Sequence, residues 1–351
     1  MKKLVVRCIR DRDWRCRAGS ILGLAVLIAV VIYGRIARSG APTPNCMRVY
    51  ALSTLEEALT KSIFPAFEEA WEAETGRDLT IEGAFGPSGT LAGQINLGAP
   101  ADVAILSNAQ HVTQLKIGRR VRRKTQLEAF GSTPMVIVTR PGNPAGISEF
   151  ADLAQPGLQL LHPDPRSSSA GEWAVLAEYG SALLESNDRA AAVKQLEAIW
   201  RNLRLLGPSA RATMTLFELG TCDAFVTYEH DALLAQERGI PLEVVVPPRT
   251  ILASHVAVIV DDNVTSAERP VVRAFVDYLL SDAGQQILRR YHVRPVEIDY
   301  NLFPKLDQAF TVEDLGGWTQ AYTRLVEALW QKEVESRLDL EPAPRLLGTG
   351  E

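Results

Sequence analysis

Residues 79–106 constrain the fold most. An apolar strand (Leu79 to Ala84), a small uncharged turn, an amphipathic helix and a second apolar strand (Val103 to Leu106) follow one another without a break. Two short strands joined through a helix predict a parallel pairing, since a parallel crossover is the connection a helix supplies. Gly86, Pro87, Ser88 and Gly89 bend the chain, and Leu91 and Ile95 give the helix one apolar face. A helix start presents unpaired N–H groups and about half a positive charge, so the turn at Ser88 suits an anion. Two other readings of Ser88 stay open. It is an ordinary helix cap, or it is the nucleophile of a strand, Gly-x-Ser, helix elbow, although Thr90 stands where that motif carries a second glycine.

The same alternation continues along the chain. Strands are predicted near 48–52, 134–139, 158–162, 224–228, 242–246 and 255–260. Helices are predicted near 54–75, 89–97, 108–116, 168–184, 188–203, 212–219, 230–237, 266–280 and 282–291. This pattern predicts an α/β protein with doubly wound, mainly parallel sheets. In the first helix Thr54 and Glu57 read as a capping box, Pro65 as a kink and Gly76 as the stop.

With 351 residues, 46% hydrophobic and 23% charged, the chain is long enough for two domains or one bilobed unit. Its net charge of −5 gives no support to a nucleic-acid partner. The charge is unevenly placed. Lys2, Lys3, Arg7, Arg10, Arg12, Arg15 and Arg17 precede the uncharged run 18–34. That run predicts one membrane segment whose basic flank stays in the cytoplasm, with everything after about residue 40 outside. A small-x-small site at Ser39 to Ala41 is followed by Pro42, which favours an uncleaved anchor. No lipoprotein pattern precedes Cys46. Cys46 and Cys222 fall in the exported part, where a disulfide is permitted but not required. Neither they nor the five histidines show metal-ligand spacing, so no metal and no cofactor is expected.

Several strand ends run into small hydroxyl-bearing turns. Ser53 and Thr54 follow the first strand, Ser88 the second, and Ser167, Ser168, Ser169 and Ala170 the strand near 158–162; Tyr228 ends another. Ligands of open α/β sheets sit at the carboxyl ends of strands, so these turns are candidates for one shared crevice holding a dehydrated oxyanion. Each has a plainer use as a cap or a core hydroxyl. Arg166 and Arg211 are the nearby cations, and both fit salt bridges better than the crevice.

The stretch SGTLAGQINLGAPADVAIL (88–106) resembles the molybdate-binding proteins of ABC importers. Residues 141–173, 244–264, 277–295 and 303–318 resemble their sulfate-binding relatives, so the resemblance spans nearly everything from Met47 to about Trp318. It implies an extracytoplasmic solute-binding protein with the type II periplasmic-binding-protein fold: two α/β lobes joined by a hinge crossed twice. Lobe 1 would be 47–130 plus 255–351 and lobe 2 would be 131–254, with 1–46 as basic flank, membrane segment and linker. Motif by motif, the anion contacts of the molybdate pattern fall on Ser53 or Thr54, Ser88, Ala170, Ala210 and Tyr228, with Ser168 and Ser169 at the lobe-two helix start. Sulfate relatives carry Ser-Gly-Gly where this chain has Ser168-Ser169-Ala170, and Trp where it has Tyr228. The overall frame leans to sulfate and the pocket positions to molybdate or tungstate.

The resemblance also implies a monomer that delivers the anion to an ABC permease and its ATPase, and that is not an enzyme. Two rival readings accompany it: a serine hydrolase on Ser88 with His230 as its base, and a membrane-tethered ligand sensor on the same fold.

Overall fold

The structure, a computed structural model, describes residues 46–296 and 302–338. The predicted membrane segment at 18–34 lies outside the described residues; among those described, no helix is long and apolar enough to cross a membrane.

Among the described residues ten strands form one continuous ladder in the order β2-β1-β3-β9-β4-β7-β5-β6, with β10 (Gln308–Phe310) beside β9 and β8 (Glu243–Val245) beside β4. The first half holds β1 (Cys46–Leu52), β2 (Thr80–Gly86) and β3 (Val103–Leu106), with β1 parallel to both neighbours. The second half holds β5 (Leu160–Pro163), β6 (Leu203–Gly207) and β7 (Ala224–Tyr228), with β5 parallel to both neighbours. Two long antiparallel strands join the halves: β4 (Glu128–Thr139) and β9 (Arg249–Ile259). Up to Pro134, β4 pairs with β9; from Met135 onward it pairs with β7 and β8 (Glu243–Val245). The backbone therefore crosses between the halves along β4 and β9, and a third passage takes the C-terminal part back to the second half. The halves are the two lobes expected from the resemblance, but the hinge is crossed three times rather than twice.

Buried side chains on both faces of each half account for the strand sequences. Val103, Ala104, Ile105 and Leu106 are all fully buried, as are Ala224, Phe225 and Val226, the pattern of strands covered on both sides. Helices α1 (Phe64–Thr75), α2 (Ser88–Asn96) and α3 (Ala109–Ile117) belong to the first half. Helices α4 (Ser169–Ser186), α5 (Arg189–Arg201), α6 (Ala210–Glu218) and α7 (Glu229–Glu237) belong to the second. α8 (Arg269–Leu280) and α9 (Asp282–Arg290) return to the first, where Phe275 packs edge-on against Phe67 of α1.

Two further expectations change. Residues 53–75 do not start with a capping box: Ser53–Leu55 is a 3-10 turn whose N-cap is Leu52, and no side chain caps it. Glu57 pairs instead with Lys61 and Arg238. Pro65 interrupts the α pattern without ending the helix: a wide π turn (Leu59–Ile63) directly precedes α1, and the chain stays helical through Ile63 into the first turn of α1, where Pro65 sits. Gly76 does end that helix, at φ +65. The second change concerns the C-terminal part, assigned with 255–351 to lobe 1. β10 (Gln308–Phe310) and the helical stretch from α10 (Gly317–Ala321) to Val334 pack mainly on the second half. There Trp318 meets Trp173 edge-on and Trp330 meets Trp200.

Candidate functional site

Five helix starts meet around one small cavity. Each follows the carboxyl end of a strand. β1 runs through Leu52 into the 3-10 turn at Ser53, and β2 ends at Gly86, leaving extended Pro87 as the N-cap of α2. Past β5, a turn closed by Ser168 N–H donating to Asp164 O (2.8 Å) sets Ser168 as the N-cap of α4. Here Gly171 is required: a Cβ would lie 2.3 Å from the Pro163 carbonyl oxygen, so only glycine lets α4 approach the strand end this closely. Ser209 caps α6, its hydroxyl accepting from Ala212 N–H, and Tyr228 is itself the N-cap of α7.

All eight residues singled out in the sequence line this cavity: Ser53, Thr54, Ser88, Ser168, Ser169, Ala170, Ala210 and Tyr228. The sequence reading missed Ser209, which lines it too; its signal was a Ser directly before the apolar-periodic run of α6. No lining residue is charged. Arg166 instead pairs with Asp164 and Glu335, and Arg211 with Asp231 at 3.2 Å.

The hydroxyls are placed to donate. Ser88 is 2% exposed and caps nothing; its Oγ accepts the Ser107 N–H at 3.2 Å, which leaves its proton free for another acceptor. Tyr228 OH and Ser107 Oγ lie 2.6 Å apart, and burial pushes the Tyr228 phenol up, so it stays protonated. Ser169 Oγ accepts from Asn108 Nδ2 at 3.2 Å. Thr54 Oγ1 is buried without a hydrogen-bond partner among the described residues. With helix starts contributing backbone N–H groups, the cavity is rich in neutral donors and poor in acceptors. That chemistry stabilises an anion.

The hydrolase arrangement is not assembled. Ser88 Oγ is engaged by the Ser107 amide, and His230 stacks on the Tyr228 ring with neither ring nitrogen hydrogen-bonded. Cys46 and Cys222 are free thiols. Among the described residues no group of His, Cys, Asp and Glu is disposed to hold a metal ion.

The cavity is sealed by contacts between the two halves. Trp173 Nε1 of α4 donates to Ser107 O at 2.8 Å, and Thr90 N–H donates to Ser167 O at 3.3 Å. A Cβ on Gly89 would fall 2.8 Å from that same Ser167 oxygen, so the two turns touch through glycine.

Residues 47–294 match the family described as bacterial extracellular solute-binding protein. A sulfate-binding protein of Escherichia coli (strain K12) is 34% identical over 272 residues, 73% of this chain and 82% of that protein. A thiosulfate-binding protein of Pseudomonas aeruginosa is 30% identical over 275 residues, covering 74% and 82%. In fold, the chain is similar to the sulfate-binding protein SubI of Mycobacterium tuberculosis H37Rv. The TM-score is 0.74 at 24% identity, over 80% of this chain and 99% of that one. Matching both in sequence, over most of its length, and in architecture, the chain belongs to the bacterial extracellular solute-binding proteins, a binding family and not an enzyme family.

Proposed function

We propose that this protein captures a tetrahedral oxyanion, sulfate foremost, between its two lobes and delivers it to an ABC permease and its ATPase. One observation carries this reading: five helix starts and their hydroxyls surround a single buried cavity that no charged side chain lines. Ser53, Thr54, Ser88, Ser168, Ser169 and Tyr228 donate through side chains, and Ala170 and Ala210 through backbone N–H groups. Ser209 supplies a ninth position. Sulfate is favoured over other oxyanions because the relatives similar over most of the chain are named for sulfate and thiosulfate. Molybdate and tungstate share the tetrahedral dianion chemistry and come second, on the strength of the tyrosine at 228 and the Ser-Ser-Ala helix start.

Lobe 1 comprises 47–130 with the returning segment from 255 through α9, and lobe 2 comprises 131–254, on which β10 and the C-terminal helices dock. Hinge bending at β4 and β9 is the working step. No bond of the ligand is made or broken. The basic flank and the apolar run ending at residue 34 suit a tether at the cytoplasmic membrane, with the binding lobes outside.

The test is a thermal-shift panel of sulfate, thiosulfate, molybdate, tungstate and phosphate on the full chain. A ligand at a thousand times its dissociation constant stabilises the folded state by about 4 kcal/mol, so a bound oxyanion is visible as a clear rise in Tm. Sulfate is expected to give the largest rise. No shift with any of the five would overturn the reading.

A further inference from the structure

Behind the anion cavity, two elements of opposite lobes bury an acid against an imidazole. Glu172, in the first turn of α4, and His111, in the first turn of α3, are each 3% exposed, with Glu172 Oε2 3.5 Å from His111 Nε2. Asn108 fixes the geometry between them. Its Oδ1 accepts the His111 N–H, which turns its amide N–H groups toward Ser169 Oγ and Glu172 Oε2, the latter at 2.5 Å. His111 Nδ1 sits 3.3 Å from Gln114 Oε1, an acceptor, so Nδ1 carries the proton and Nε2 turns a lone pair toward the carboxyl group. Nε2 has no hydrogen-bond partner among the described residues, and its lone pair repels an ionised carboxylate beside it, so a proton on Glu172 relieves the pair.

We propose that closing the lobes over the anion takes up one proton, which the cleft holds on Glu172 facing His111. This rests on the oxyanion-binding reading and deepens it: the cargo enters as a dianion accompanied by a proton. The other titratable groups facing Glu172 are two phenols, Tyr228 of β7 and Tyr322 of the C-terminal stretch, both pushed up by burial and by Glu172 itself. Among the described residues no cation offsets a charge on Glu172. It lies two residues along α4 from Ala170, so a dianion in the cavity opposes its ionisation further.

Burial pushes Glu172 up from 4.5 to about 8 and His111 down from 6.5 to about 4. Opening separates α3 from α4, admits water and returns both groups toward their ordinary values. Between pH 4.5 and 6.5 the open form holds its proton on His111 and the closed form holds one on Glu172, so the two effects cancel. From pH 6.5 to 8 the closed form alone holds a proton. Affinity therefore falls by about fivefold per pH unit at its steepest, about 30-fold from the plateau below the window to the plateau above it. His230 and His255, whose rings pack with Tyr228, are held low by burial and are neutral throughout that window.

The experiment is calorimetric titration of sulfate into the full chain from pH 5 to 9, with buffers of two different ionisation heats near pH 7.3. Wild-type protein is expected to take up about 0.7 proton per sulfate near pH 7.3 and to show the fall centred between pH 6.5 and 8. E172Q keeps the neutral form permanently. It should take up no proton in that window, hold its affinity nearly flat, and, because the whole shift from 4.5 to about 8 is removed, bind sulfate more than about a thousandfold more tightly than wild type at pH 8.5. The wild-type proton count stands even where E172Q fails to fold. Saturable binding with no proton uptake and a flat profile would overturn this proposal alone. No sulfate binding at any pH would overturn it together with the functional reading.

Discussion

Replacing Thr54 by valine separates a ligand donor from a structural hydroxyl, because only the structural role costs stability in the absence of the anion. Thr54 is 2% exposed and its Oγ1 has no hydrogen-bond partner among the described residues. A buried hydroxyl left unpaired costs about 1–3 kcal/mol, whereas valine presents nearly the same shape with nothing to satisfy. Without an anion the cleft opens and water reaches Oγ1, so the Thr54→Val protein should keep the stability of wild type to within about 0.5 kcal/mol. With an anion in the cavity the hydroxyl becomes a donor to a charged acceptor, and its loss costs about 1.5–3 kcal/mol, roughly ten- to a hundredfold in Kd. Thermal unfolding in sulfate-free buffer gives the first quantity and calorimetric titration with sulfate gives the second. An unchanged Kd would show that Thr54 donates nothing to the ligand. A lower anion-free Tm would show that the hydroxyl is satisfied within the protein, which refutes the reasoning at its start.

Two further substitutions test neighbouring parts of the site. Ser88→Ala should weaken sulfate binding by a similar ten- to a hundredfold, roughly, and should also destabilise the anion-free protein. It strips the Ser107 N–H of its acceptor and should lower stability by about 1 kcal/mol in urea unfolding. Gly89→Val should leave anion-free unfolding nearly unchanged while raising the sulfate Kd by roughly tenfold or more, because the closed state alone brings the Ser167 carbonyl within 2.8 Å of a side-chain atom at 89. Equal affinity in that variant would mean that the two turns do not close over the ligand.

Much of the fold was legible where hydrophobic pattern and turn chemistry coincide. Val103–Leu106 and Ala224–Tyr228 match their predicted bounds because each is a short, unbroken apolar run between turn residues. β6 (Leu203–Gly207) was missed: it follows α5 with only Asn202 between, so its residues read as the end of a helix. The hinge halves of β4 and β9 were missed for another reason. Residues 128–133 and 249–254 carry Gly131, Ser132, Thr133, Thr250 and Ser254, polar or flexible positions that suit a crossing strand and blur its period.

Within the site, the strand-end hydroxyls were readable one at a time, since each sits beside a turn. The partnership of Asn108 and His111 with Glu172 was not. It joins residues more than 60 positions apart across the cleft, and nothing local marks a glutamate in a helix's first turn as buried. The Thr54–Glu57 capping box failed because a 3-10 turn begins one residue early and carries Thr54 into the cavity wall.

The most direct measurement is a crystal structure of the protein with sulfate. The account predicts one anion in the cavity, within hydrogen-bond distance of Thr54 Oγ1, Ser88 Oγ, Tyr228 OH and the backbone N–H groups of Ala170 and Ala210, and touching no charged side chain. Sulfate bound elsewhere, or paired with Arg166 or Arg211, would contradict it.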